Sequence, residues 1–128
     1  MEFNLIYKFR AWDFIENEMV FDALPMGDKL IGSKEIAGEH WEEPLKNYIL
    51  MICTGLFDCK DNLIYDGDIL KGEDGQIYLV SFGIMGFTVH GRSKFGINMA
   101  CGFPYRIAEM ERIGNIYEDK HLIPQNML

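Results

Sequence analysis

The chain has 128 residues, 48% hydrophobic and 25% charged, which suits one soluble globular domain with a real core. No apolar run nears the roughly 20 residues a membrane helix needs, so a spanning helix is excluded. The formal charge is −8 and the twelve basic residues are scattered, which disfavours a Lys/Arg groove for nucleic-acid phosphates. The charge is also uneven. Residues 1–48 carry ten acids against five bases, 49–75 six against two, and 76–128 four against five. An acidic end and a near-neutral end suit head-to-tail contacts or a basic partner, although solubility alone also accounts for acidity. Nine Phe, six Tyr, two Trp and thirteen Gly against four Pro lean towards strands joined by tight turns.

In chain order, Phe3, Leu5, Tyr7 and Phe9 alternate with Asn4, Ile6 and Lys8, the period of a strand with one apolar side. Trp12 and Asp13 close it, residues 13–18 form a polar connection, and Met19-Val20-Phe21 answers as the second arm of a hairpin. Leu24-Pro25-Met26-Gly27-Asp28 is turn chemistry. Leu30-Ile31 and Ile36 predict a short strand broken at Gly32. Residues 38–47, with Glu39, Glu42, Glu43 and Pro44, read as an exposed acidic connection to which Trp41 is attached.

Tyr48 to Cys53 is continuously apolar and predicts a central strand covered on both faces. After it, Asp58 to Asn62 is a turn, Leu63-Ile64-Tyr65 a short strand, Asp66-Gly67-Asp68 a tight reversal and Ile69-Leu70-Lys71 a strand. Gly72-Glu73-Asp74-Gly75 links this strand to residues 76–82 as a hairpin. Gly83, Gly86, Gly91, Gly96 and Gly102 among Phe82, Phe87, Val89, Phe95 and Phe103 fit short strands bending around a small barrel. Residues 91–102 are expected to be a mobile loop, Ile107 to Ile113 a short turn, Ile113 to Tyr117 a last strand, and 118–128 a loosely held tail.

Four ordered blocks carry a family resemblance: Lys8-Phe9-Arg10-Ala11-Trp12-Asp13; Thr54-Gly55-Leu56 with Asp58 and Asp61; Ile64-Tyr65-Asp66-Gly67-Asp68-Ile69; and Ile113-Gly114-Asn115-Ile116-Tyr117-Glu118. Over nearly the whole chain they resemble the YopX family of small proteins carried by bacteriophages and prophages. The chain departs from the family pattern at Phe57, Cys59 and Leu63, changes expected to alter a turn surface rather than the fold. The resemblance implies a mainly β fold with a small barrel and a tendency to assemble. It brings no catalytic residues. Trp12, Asp13, Thr54, Gly55, Leu56, Asp58, Tyr65, Gly67, Asp68, Ile69, Gly114, Asn115 and Tyr117 are therefore assigned as structural motif residues, a folding signature of turns and packing groups.

Candidate chemistry is sparse. Asp58, Asp61, Asp66, Asp68, Glu73 and Asp74 crowd one stretch, as a hard cation would want, but lack the spacing of an EF-hand and are ordinary turn formers. His40, His90 and His121 with Cys53, Cys59 and Cys101 show no zinc spacing, and no CxxC occurs. Cys101 with His90 is arithmetically a nucleophile pair, against which stands the habit of free Cys to pack as a small hydrophobe. There is no GxSxG, Walker loop or post-strand GxGxxG. Phe82, Phe87, Phe95, Phe103 and Tyr105 near Arg92, Lys94 and Arg106 read either as a stacking platform for single strands or as barrel filling, and the methionines as gap fillers.

The sequence thus predicts a single domain over 1–128, mainly β. It expects a small SH3-like barrel or strongly bent sheet at about 48–117, with an N-terminal hairpin packed on it. No catalysis, metal or cofactor is expected. The expected role is a phage or prophage accessory protein in the bacterial cytoplasm, its thiols reduced. It would act through contacts with an unidentified host or phage protein or with copies of itself. The alternative is a nucleic-acid-linked regulator, either a single-strand binder or an acidic DNA mimic.

Overall fold

The computed structural model describes residues 9–21, 23–33, 40–83, 86–92, 98–102 and 107–127. Every regular element among them is a strand or a 3-10 turn. The chain divides into two compact units, Met1–Cys53 and Thr54–Leu128. The expected strand at 3–8, Ile36, and the aromatic and basic residues Lys94, Phe95, Phe103, Tyr105 and Arg106 lie outside the described residues.

In the first unit, β1 (Phe9–Asp13) and β2 (Glu18–Phe21) form the expected hairpin. Trp12 and Asp13 belong to the strand rather than closing it. Asp13 pairs with Glu18, and its Oδ1 accepts from the Ile15 and Glu16 amides at 3.0 Å, so the side chain folds the turn that follows. A three-stranded antiparallel sheet comes next, of β3 (Leu24–Met26), β4 (Lys29–Ser33) and β5 (His40–Pro44) in that order. Two expectations fail here. Gly32 does not break its strand, and residues 40–44 are a strand followed by a 3-10 turn at Leu45–Asn47 rather than an open connection.

A single contact explains both corrections. Gly32 pairs directly with Trp41, and the indole lies so closely across it that a Cβ there would penetrate the ring. The glycine is kept for a neighbouring aromatic, which turns an acidic segment into a sheet strand. The unit's core gathers Ala11, Ala23 and Leu30, with Val20, Trp41, Leu45, Tyr48 and Leu50 packed against them.

The strand β6 (Tyr48–Phe57) pairs with β1 through Tyr48 to Ile52 and carries the chain into the second unit. It runs through Gly55, four residues beyond its expected end, and its expected full cover fails along one face, where Met51 and Cys53 are buried but Ile49 is exposed.

In the second unit β6 neighbours β7 (Leu63–Tyr65). A five-stranded antiparallel sheet has the order β11-β10-β9-β8-β12, with β8 Asp68–Lys71, β9 Ile77–Gly83, β10 Gly86–Arg92, β11 Asn98–Gly102 and β12 Glu111–Asn115. Of the two forms expected, the strongly bent sheet is the one present. Its register slips between Arg112 and Gly114, the kind of bulge that bends a strand and deepens its twist. The concave core is Ile64, Leu70, Tyr78, Val80, Val89, Ile107 and Met110, with Leu56 and Phe87 packed against it.

Residues 98–102, expected in a loop, form β11. A 3-10 turn occupies Ile107–Glu109, and the last strand ends at Asn115, two residues early. The tail forms 3-10 turns at Lys120–Leu122 and Gln125–Met127 on either side of a buried Ile123.

The glycine–aromatic device recurs in this unit: Gly91 pairs with Tyr78, whose ring occupies the space a Cβ would need. Gly91→Ala is therefore expected to lower unfolding stability by about 1–3 kcal/mol, the cost of forcing a core ring to move. Gly83→Ala, where a Cβ meets nothing within 4 Å, is expected to stay within about 0.5 kcal/mol of the parent. Urea midpoints of the two variants measure the contrast, and equal midpoints would overturn it.

Candidate functional site

The acidic stretch is built as three turns in succession. Asp58 follows β6 and is 4% exposed, yet its carboxylate is amply served. Oδ1 accepts from the Lys60 amide at 2.9 Å and the Asn62 amide at 2.8 Å. Oδ2 accepts from Asn62 Nδ2 at 3.1 Å and from the Arg112 amide at 2.7 Å. Around it, the Cys59 amide donates to the Met110 carbonyl at 2.9 Å and the Arg112 guanidinium to the Leu63 carbonyl at 3.1 Å. Burial alone would raise the Asp58 carboxyl pKa. The donations from Arg112, Asn62 and Lys60 together outweigh it and hold the group below the usual carboxylate value.

Next, Gly67 turns with φ +88° between β7 and β8. Its amide donates to the Val80 carbonyl and its carbonyl accepts from the Ile116 amide, both at 2.9 Å. Fully buried Asp68 accepts from the Tyr65 amide through Oδ2 at 2.7 Å, and Asp66 accepts from the Phe82 amide at 3.2 Å. Thr54 donates to the Ile64 carbonyl at 2.8 Å and accepts from the Leu56 amide at 3.0 Å.

Across the sheet, Asn115 pairs with Asp68 and Gly114 with Ile69. Asn115 Oδ1 accepts from the Tyr117 and Glu118 amides at 3.0 and 2.9 Å. The motif residues of the second unit are thus brought together as a network of turns, while Trp12 and Asp13 stand in the first. Asp58 is committed to nitrogen donors through both oxygens, whereas Asp66 and Asp68 each accept an amide through one. Among the described residues no group of three or more His, Cys, Asp or Glu converges as a metal site. Cys53 is buried and Cys59 exposed.

Another constellation escaped the sequence reading. On β9 and β10, Ser81 Oγ and Thr88 Oγ1 lie 3.1 Å apart, and His90 Nε2 lies 2.7 Å from Thr88 and 2.9 Å from Ser81. The register makes the cluster: Ser81 sits opposite Thr88, and His90 is two residues along on the same face. Val80 and Val89 point the other way, into the core. His90 also lines a cavity of about 180 Å³ with Leu79, Gly91 and Met127. The alternation of Phe87, Val89 and Gly91 with Thr88, His90 and Arg92 was the available signal.

The Asp58 knot yields a signed pH prediction. A carboxyl held below its unfolded value of about 3.9 contributes stability that is full above that value and is lost as pH falls through the folded pKa. Asp58→Asn should lower unfolding stability by about 1.5–3 kcal/mol at pH 7, since it removes charge-assisted bonds. The deficit relative to the parent should shrink below about pH 4. Urea titrations of both proteins across that range measure it, and a deficit that is constant with pH would refute the assignment.

The crystal structure of protein EF1440 from Enterococcus faecalis superposes with a TM-score of 0.67 at 24% identity, covering 94% of this chain and all (100%) of that one. The crystal structure of protein yopX from Bacillus subtilis superposes with a TM-score of 0.58 at 20% identity, covering 91% of this chain and 98% of that one. At such identities the likeness is one of fold. No curated protein sequence matches the chain. The family model described as YopX protein matches residues 8–124, the span that holds both cores and all three turns, and the chain belongs to the YopX family.

Proposed function

We propose that this protein is a non-catalytic interaction module that associates with copies of itself, in the cytoplasm of a bacterial host carrying a phage or prophage. The supporting observation is where large apolar side chains meet solvent. Among the described residues, Phe14, Ile15, Phe21, Leu24, Met26 and Ile49 of the first unit are exposed, against only Phe57 and Phe82 of the second. Leu24 and Met26, 51% and 60% exposed, project from one face of β3, an edge strand. Between them Pro25 lacks an amide hydrogen, so this edge is poorly suited to accept another strand through its backbone. Its affinity would come from side chains. The self-associated form should give a mass above the monomer in light scattering, and Leu24→Glu with Met26→Glu should return it to the monomer mass. A parent protein that is monomeric at high micromolar concentration would sink this reading.

A second reading rests on a separate observation. The Tyr48 phenol is raised first by burial and then by the fields of Asp13, Glu43, Glu18 and Glu16, so several carboxylates act on one place in the first unit. Such an acidic surface fits the basic groove of a host protein, as a DNA mimic would. The protein should then compete with duplex DNA for that partner without binding DNA itself. Direct DNA binding, or no competition at low salt, would dismiss the mimic.

A further inference from the structure

The loop between β1 and β2 is ordered by the Asp13 side chain, yet it shows large apolar side chains to water. Because Asp13 pairs with Glu18, the four residues 14–17 make the connection, and all of them are exposed. Asp13 Oδ1 accepts from the Ile15 and Glu16 amides at 3.0 Å, and Asn17 completes the reversal with φ +58°. Ala11, Trp12 and Asp13 are buried, so the strand is anchored up to the point where the loop leaves it. Phe14 and Ile15 then stand at the tip, 47% and 58% exposed. The turn does not ask for apolar side chains there, because its bonds to Asp13 use backbone amides.

The surroundings are acidic. From Ala11 to Asp28 the chain holds five acids, Asp13, Glu16, Glu18, Asp22 and Asp28, and no base. Exposed Glu16 and Glu18 follow the apolar pair directly. Their fields, with those of Asp13 and Glu43, reach Tyr48, the residue opposite Asp13 on β6, whose phenol is raised first by burial and then by these carboxylates. Of the bases nearest in sequence, Arg10 is buried and Lys29 lies 3.3 Å from Glu42.

Two preordered apolar anchors beside exposed carboxylates match a surface that is apolar and basic at once. A second copy set tip to tip would instead oppose Glu16 and Glu18 with like charge. We propose that the β1–β2 tip is a docking point for a basic segment of another protein that carries an apolar face. Phe14 and Ile15 enter that face, and Glu16 and Glu18 meet its Lys or Arg side chains. Such docking needs the apolar pair, which DNA mimicry does not, and leaves out Leu24 and Met26, on which self-association rests, so each can fail alone.

The probe is a synthetic peptide of leucine and lysine patterned as an amphipathic helix, titrated into the full chain and followed by NMR. The Ile15 methyl and the Glu16 amide should shift saturably, while resonances of the second unit stay in place. A peptide with glutamate in place of lysine, and one with serine in place of leucine, should each bind about tenfold more weakly. Phe14→Ser with Ile15→Ser should weaken the leucine–lysine peptide about tenfold, and Glu16→Gln with Glu18→Gln about fivefold. Urea midpoints should be unchanged in both variants, because the amides that Asp13 holds remain. Leu24→Ser with Met26→Ser should leave the affinity unaltered. Absence of a saturable shift, equal binding of the glutamate peptide, or full affinity in either tip variant overturns the proposal. So does a parent mass in light scattering that falls when Phe14 and Ile15 are replaced, which would make the tip a contact between copies. Tip-dependent binding of phosphatidylcholine vesicles would make it a lipid contact and overturns it equally.

Discussion

The buried carboxylate of Asp58 is the constraint on which the second unit rests. Its donors come from two places far apart in sequence: Lys60 and Asn62 in its own turn, and the Arg112 amide fifty-four residues on. A buried carboxylate without donors is costly, so the turn and the start of β12 must form together. Cys59 to Met110 and Arg112 to Leu63 make the same connection in both directions. With β12 held there, it lies along β8 and completes the five-stranded sheet. Asn115 at its end organises the following turn, and the chain runs on to Met127 beside His90. An interaction in the first turn of the unit thus reaches, through backbone connectivity, the wall of its cavity.

Each unit solves the same packing problem by the same means. A wide aromatic ring must lie flat along a sheet, and a directly paired glycine makes room for it: Trp41 on Gly32, Tyr78 on Gly91. The glycine loses strand propensity, which the covering ring offsets by burying backbone. The two units also divide the surface chemistry. The first exposes apolar side chains and gathers carboxylates around Tyr48, while the second buries two carboxylates, Asp58 and Asp68, onto amides.

The family resemblance and the turn network meet in the same residues. Thr54, Asp58, Gly67, Asp68, Gly114 and Asn115 are spaced as they are because each holds a turn or a strand end through a hydrogen bond or a backbone angle, and a motif of this kind specifies a fold. Within it the buried oxygens of Asp58 are occupied by nitrogen donors.

Short-range features were legible in the sequence. The 58–62 turn, the reversal at Gly67, the 72–75 hairpin and the hairpin around residues 14–17 all follow from local chemistry, Asp and Asn accepting nearby amides and Gly taking positive φ. Features that depend on a partner distant in sequence were not. Residues 40–44 look like an acidic connection until Gly32 offers Trp41 a surface, and the tail looks loose until Ile123 finds cover. Ser81, Thr88 and His90 are unremarkable until antiparallel register brings their polar atoms within 3.1 Å. The sequence by itself determined the strand-and-turn grammar and the family, because these are written in residues within a few positions of each other. Only the tertiary structure decided which strands pair, which glycines lie under rings and which polar groups meet, because those follow from long-range contacts that local spacing does not encode.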